Sequence, residues 1–472
     1  MSNTVHKLAF KEKFAYGFGD LASVLYWQTF MLYFTYFYTD VFLIPASVAA
    51  TMFLVSRIWD GVNDPMMGMI ADRTKTKWGK FRPYLLWICV PFALMGVLTF
   101  TVPDFGMTGK IIWAYVTFIL IMMLYTAINI PYTALMGVIS PDSNERTSVS
   151  SIKFIFAFAA GIIVSATLLP MTKTLGGGND AQGWQYTFMI YGVAAVIFFL
   201  IAFKGTRERV LPPKSQKMSV KQDLKDLFSN KPWLILLAAT ITFILFVAVR
   251  GSVTVHYFKY IIGEQTLKLP FLGTDTYGFE AITSAYNTIG QISSLIGALI
   301  VSWFAKKIGK KNAFYVLFIM AIFSTGILYF LTAEQLGLIF FFQITGSISG
   351  GPLSVLLWAM YADTADYGEW KNNRRSTGLV FSASTMSQKF GWAFGAFVAL
   401  TLMSQVGFQP NTDQSADSIH GLKLLFSIIP AAVGVLSMII LIFYPLTDKK
   451  VKEMSYDLEI RRKELGESVD LS

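Results

Sequence analysis

The sequence predicts an all-α polytopic membrane protein, with twelve transmembrane helices in two halves of six. Three observations predict it. The chain has 472 residues, 54% hydrophobic and 14% charged, with 41 Phe, 20 Met and 11 Trp. A water-soluble chain carries about 25% charged residues. About 20 residues of helix cross the hydrocarbon layer, and apolar segments of that length recur end to end twelve times. Basic residues gather in alternate connections, the pattern that orients a multi-spanning chain.

The segments follow one another with polar breaks between them. Segment 14–40 is too long for a signal peptide and is followed by eleven more. Segment 45–70 is apolar at both ends and charged in the middle. Segments 84–103 and 111–139 flank a short turn, and Pro131 kinks the second. Segments 150–170 and 185–203 complete the first half. Segments 233–260, 279–304, 312–331, 337–361, 377–404 and 423–446 form the second. Those above the minimum length tilt or reach into the headgroups.

Charge placement gives the orientation. The amino-terminal arm has Lys7, Lys11 and Lys13, and the 2–3 loop has Arg73, Lys75, Lys77, Lys80 and Arg82. The 6–7 loop, the KKIGKK of the 8–9 loop and the carboxyl tail are equally basic. On the opposite side the 3–4 loop offers only Lys110, the 5–6 loop only Lys173, and the 9–10 loop has none. Both termini are therefore expected in the cytoplasm, as an even span count requires. The domain reading is an amino-terminal half over 1–203, a linker over 204–232, a carboxyl half over 233–446 and a tail over 447–472. Asp223, Leu224, Leu227 and Phe228 suggest a short amphipathic surface helix in the linker. Two six-helix halves around a cavity are the layout of an alternating-access carrier. No filter or pore-lining ring suggests a channel.

Other classes find little support. The single Cys89 forms no intramolecular disulfide. No cluster has metal-ligand spacing, and no cofactor is expected. The net charge of +10 lies in the loops, as a membrane protein requires, rather than in a nucleic-acid surface. The expected partners are the bilayer and a small solute, with no obligate protein partner.

The charges inside the apolar segments carry the function. Arg57, Asp60 and Asp64 are spaced three and four apart, within about 60° of one another on a helix. Each costs roughly 2.5–3.5 kcal/mol at the centre of a span, so the stripe faces the bundle interior. Arg57 offsets one carboxylate. A monovalent cation, Na⁺, Li⁺ or a proton, can offset the other, and Asn63 adds an amide oxygen. The alternative is an ion-pair network that locks this span to a neighbour. Asp20 lies one turn after Tyr16 in a span where Gly17 and Gly19 allow close helix approach. Tyr125, Asn129 and Thr133 recur every four residues as a polar ladder suited to sugar hydroxyls, or to hydrogen bonds between helices. Lys153 points inward or snorkels. Lys389 lies too deep to snorkel and is a counter-charge for Asp60 and Asp64. Thr385 precedes it by one turn, and Trp392 follows as a sugar-covering ring or a packing residue. Asp363, Asp366 and Glu369 sit beside Lys371, Arg374 and Arg375, and with Asp72 and Arg73 they are suited to breakable cytoplasmic ion pairs. Arg250, His256 and Lys259 have no assigned role.

The chain resembles the glycoside–pentoside–hexuronide:cation symporters, the melibiose-permease branch of the major facilitator superfamily. YGFGD at 16–20, RIWDGVNDPMMG at 57–68, DRTKTKWGKFRP at 72–83, NIPYTAL at 129–135 and ADTADYGEW at 362–370 carry the resemblance. It implies secondary transport of a sugar or glycoside with a cation across a bacterial inner membrane. It implies a cation site at Asp60, Asp64 and Asn63 with Thr385, coupling through Lys389, and cytoplasmic gating by the loop containing Asp72, Arg73, Lys80 and Arg82. Where melibiose-type members have acidic, tryptophan and arginine residues, this chain has Asn129, Thr133 and Lys153, and Val24 replaces a further aspartate. The expected substrate is therefore a pentoside, β-glycoside or hexuronide. An uncoupled facilitator or exchanger, or a non-transporting receptor, is the alternative.

Overall fold

The computed structural model describes residues 8–140, 143–209, 225, 227–269, 273–372 and 377–464. The long helices are α1 (Phe10–Tyr36), α2 (Ala46–Arg73), α3 (Arg82–Thr99), α4 (Met107–Ile139), α5 (Ser143–Gly176) and α6 (Asp180–Gly205). They are followed by α7 (Lys231–Tyr257), α8 (Phe279–Ile308), α9 (Lys310–Gly326), α10 (Leu336–Asn372), α11 (Thr377–Gln405), α12 (Ala416–Phe426), α13 (Ile428–Ile442) and α14 (Asp448–Glu464). Among the described residues, nine helices are long and apolar enough to cross a membrane, with α12 and α13 counted as one. The protein is a multi-pass, all-α membrane protein. Of the predicted segments, those of α1, α2 and α11 fall outside the nine. They carry Asp20, the Arg57–Asp64 stripe, and the polar run before Lys389, which lower their hydropathy.

A short antiparallel hairpin departs from the helical pattern. Strand β1 (Gln265–Leu269) pairs with β2 (Gly273–Tyr277), with Thr266 opposite Thr276. Thr266 in QTLKL and the alternate Thr274 and Thr276 in GTDTY suit a solvated two-stranded ribbon. The predicted linker helix falls mostly outside the described residues, Asp223 and Leu224 included; Leu227 is buried and Phe228 exposed.

Residues cluster into two compact units. The first comprises Met1–Lys214, Gly251–Gln291 and Ala396–Leu422. In it α1 packs on α5 and α6, α3 lies against α4 and α6, and α2 lies against α4. The small residues of YGFGD explain the close approach: a Cβ on Gly19 would collide with the Tyr132 ring, and one on Gly17 would meet Phe156 at 2.6 Å. Tyr16 and Tyr132 stack with centroids 4.6 Å apart. Each hydroxyl donates to the other's carbonyl, at 3.1 and 2.8 Å, which rivets α1 to α4. Phe30, Phe100, Trp184 and Phe188 fill the far end with stacked rings.

The second unit comprises Ser215–Arg250, Ile292–Gly395 and Lys423–Ser472. There α9 packs on α10 and α13, and α10 on α14. Its core holds Leu236, Phe243, Phe314, Phe318, Leu353, Leu357 and Tyr361. Pro352 removes the N–H that would bind the Ile348 carbonyl, and Gly297 of α8 lies against that oxygen, leaving no room for a side chain. The tail helix α14 buries Met454 and Leu458, and Asp457 accepts from Trp370 Nε1 at 3.0 Å. On both units large apolar side chains such as Leu94, Ile112, Val193, Leu299, Phe323 and Ile442 are exposed. Such a surface suits lipid rather than water.

Candidate functional site

Helix α2 presents the intramembrane charges. Asp60 is buried, and Asp64 and Asn63 are half-buried beside it. The Arg57 side chain lies outside the described residues. Packing of α2 on α4 brings Thr126 to the stripe: its hydroxyl donates to Asp64 Oδ1 at 2.9 Å, and it is itself buried. Pro65 lies inside α2. It removes the N–H that would bind the Gly61 carbonyl, which adds a main-chain oxygen one residue from Asp60. Two carboxylates, a threonine oxygen, an amide oxygen and this carbonyl are hard donors of the kind a small cation takes. Among the described residues, no group of three or more His, Cys, Asp or Glu side chains is placed to hold a metal ion.

A second polar group lies along α1, α4 and α5. Asp20 is buried, and Lys153 Nζ approaches its Oδ1 at 3.6 Å. Lys153 therefore turns inward, and its ammonium sits 6.0 Å from the centre of the Tyr132 ring. Tyr125 is nearly buried and stacks on Trp27 of α1, with centroids 5.5 Å apart. Asn129 is half-buried, and Thr133, one turn on, is exposed. In the second unit, Thr385 is exposed on α11 and Lys389 half-buried one turn later. Trp392 is half-buried and packs against the hydrophobic core of that unit.

The loop residues expected to gate are held by groups that the sequence does not single out. Glu208 accepts the main-chain N–H groups of Lys80, Phe81 and Arg82 at 2.9, 2.8 and 3.0 Å, capping the start of α3. The Arg82 guanidinium donates to the Phe203 carbonyl at 2.6 Å. Nearby, Glu12 receives both guanidinium nitrogens of Arg209 at 2.7 and 2.8 Å. This hydrogen bonding raises the Arg209 pKa above its ordinary value. Arg73 is exposed; the Asp72 side chain and Arg374 lie outside the described residues. Asp363 binds Lys310 through both oxygens at 2.7 Å, and Asp366 is half-buried one turn later.

Residues 15–448 match the family described as MFS/sugar transport protein. The chain belongs to that family. It is a transporter, not an enzyme. It is 36% identical to the isoprimeverose transporter of Lactiplantibacillus pentosus, over 97% of this chain and 93% of that one. It is 35% identical to the inner membrane symporter YicJ of Escherichia coli, over 96% and 95%. The glucuronide carrier protein homolog of Escherichia coli is 26% identical over 97% of each. Among solved structures, a bacterial homologue of the human drug peptide transporters PepT1 and PepT2 superposes with TM-score 0.66 at 12% identity, covering 95% of this chain and 99% of that one. The nucleoside transporter NupG gives 0.60 at 12%, covering 92% and 99%. The fold is that of the major facilitator transporters.

Thr126 is a partner of Asp64 that the sequence pattern does not mark. It lies one position beyond Tyr125 and so about 100° around the helix from the Tyr125–Asn129–Thr133 face. The signal available is a hydroxyl in a charged helix's neighbour, which only the α2–α4 pairing makes specific.

Proposed function

We propose that the protein carries a neutral glycoside together with one monovalent cation by alternating access. The observation behind this is the buried Asp60–Asp64 stripe with Thr126 donating across from α4. The cation takes oxygens from Asp60, Asp64, Asn63 and Thr126, with Thr385 as a further ligand. Arg57 and Lys389 supply the compensating charge that couples cation to sugar. Asp20, Tyr125, Asn129, Thr133, Lys153 and Trp392 form the sugar-binding set. Asp72, Arg73, Lys80, Arg82, Asp363, Asp366 and Arg374 serve the cytoplasmic gate.

The pairing of Lys153 with Asp20 supports a neutral sugar over an anionic one. A hexuronide carboxylate needs a cation of its own, and this one is already offset. The relative named for isoprimeverose, a neutral pentose-containing glycoside, also stands at higher identity than the glucuronide carrier homolog. Twelve spans in halves 1–203 and 233–446, with both termini cytoplasmic in a bacterial inner membrane, fit the loop charges.

The test is uptake of a panel of labelled glycosides into vesicles under Na⁺, Li⁺ or proton gradients. Asp60→Ala and Asp64→Ala are expected to abolish accumulation while leaving exchange or slow downhill movement. Wild-type accumulation by both variants would remove the cation site from α2. Calorimetry of Lys389→Ala is expected to show that the cation no longer strengthens sugar binding.

A further inference from the structure

The far end of α1 carries a buried charge cluster that the cation and sugar sites do not use. A five-residue π-helical segment, Phe37–Val41, continues α1, and Asp40 within it is only 3% exposed. Four side chains surround its carboxylate. Lys259 Nζ, at 2.8 Å, and the Tyr260 hydroxyl reach Oδ1. His256 Nε2, at 3.1 Å, and the Thr39 hydroxyl, at 2.7 Å, reach Oδ2. Lys259 and Tyr260 lie in a second π-helical segment, Phe258–Ile262, which continues α7, and His256 is fully buried one turn earlier. Asn411, in the connection between α11 and α12, donates its side-chain amide to the Asp40 carbonyl at 2.7 Å and its main-chain N–H to Tyr260 at 2.8 Å. Its φ of 59° is a left-handed conformation that asparagine tolerates.

Simple adhesion does not need this arrangement. A buried ion pair stabilises a fold no better than apolar side chains of similar volume, because desolvation cancels much of the attraction. It differs from an apolar seam when the surfaces part: water then solvates each charge, whereas separated apolar faces stay unfavourable. A charged contact is therefore stable closed and tolerable open. Both charges also ride on π-helical turns, which recur at functional sites. The contact joins residues 40, 256–260 and 411, which in the two-half reading are the first helix of each half and a connection of the second.

We propose that Asp40, His256 and Lys259 form a latch that holds this end of the transport path closed and releases when the path opens there. The proposal rests on the alternating-access reading. The three are positioning residues of the transport reaction, acting on the conformational step without touching sugar or cation.

The latch is tested by accessibility. Thr35 lies one turn inside the cluster, buried, with its hydroxyl bound to the Ser252 carbonyl. In a Cys89→Ser background, the cysteine introduced by Thr35→Cys is exposed to a membrane-impermeant maleimide, in vesicles of both orientations. With the latch intact, labelling is expected to be slow. Asp40→Asn or Lys259→Gln is expected to speed it at least fivefold from one side of the membrane. Asp40→Glu is expected to stay near the starting rate, and the exchanged pair Asp40→Lys with Lys259→Asp to return towards it. Labelling that stays slow in both neutral variants overturns the proposal. So does fast labelling that the exchanged pair fails to slow, because that is the mark of lost packing. No transported sugar is needed, so failure here is separate from failure of the symport assignment, which the uptake panel reads.

Discussion

Thr126 Oγ1 donates to Asp64 Oδ1 at 2.9 Å, across the contact between α4 and α2. The bond orients one carboxylate of a pair whose mutual repulsion would otherwise turn it away from Asp60. Thr126→Ala removes an oriented oxygen and a charge-assisted hydrogen bond worth roughly 1.5–3 kcal/mol. The concentration of cation that half-saturates sugar uptake is expected to rise about tenfold or more, since each 1.4 kcal/mol is about a factor of ten. Thr126→Ser is expected to stay near wild type. A cation titration of uptake in both variants checks this, and an unshifted titration in Thr126→Ala would detach α4 from the cation site.

Lys153 and Asp20 are buried enough for their charges to depend on each other, with side chains 21% and 10% exposed. Lys153→Met leaves the Asp20 carboxylate uncompensated, and breaking a buried pair in this way costs about 3–5 kcal/mol. The double variant Asp20→Asn with Lys153→Met removes both charges and is expected to recover most of that loss. Thermal melting of the purified protein gives the comparison. Equal melting temperatures for the Lys153 single variant and the wild type would mean that the contact contributes nothing to the fold.

Gly19→Ala tests the close approach of α1 to α4. Its new Cβ would collide with the Tyr132 ring, and that ring is held by the reciprocal bonds with Tyr16. Overpacking of this kind costs typically 1–3 kcal/mol. A lower melting temperature is expected, together with weaker sugar binding through displaced Asp20. Gly68→Ala, where a Cβ meets nothing within 4 Å, is the control and is expected to melt as wild type.

Residues that are expensive in lipid are legible in the sequence alone. Asp60 and Asp64 declare an inward face because their spacing and their insertion cost leave no other place for them. Gly17 and Gly19 likewise signal close packing, and Tyr132 and Phe156 supply it. Lys153 is open between snorkelling and turning inward, because a single lysine carries no information about its partner; Asp20, more than a hundred residues earlier, decides it. Thr126 is hidden because hydroxyls are common in apolar helices and only helix pairing picks the face. Asp40, His256 and Lys259 are hidden more deeply. Asp40 and Lys259 meet across a separation of 219 residues, on π-helical turns that no 3.6-residue pattern places, with His256 one turn before the second.

The size of the sugar gradient separates symport from facilitation and neutral substrates from anionic ones. One monovalent cation entering down ~100 mV supplies about 2.3 kcal/mol. A tenfold cation gradient adds about 1.4 kcal/mol. A tightly coupled one-to-one carrier of a neutral glycoside therefore builds a gradient of several hundredfold, since the sum is about 3.7 kcal/mol. A hexuronide brings a negative charge that cancels the cation's, so it gains nothing from the potential and stops near tenfold. The Asp20–Lys153 pair predicts the first case. In vesicles, accumulation is expected to fall to about tenfold when the potential is collapsed, and to disappear when the cation gradient is removed as well. Accumulation that ignores the potential would make the substrate anionic and require Lys153 to leave Asp20 for it. Sugar that only equilibrates, whatever the cation or voltage, would make the protein a facilitator and leave Asp60 and Asp64 as a structural stripe.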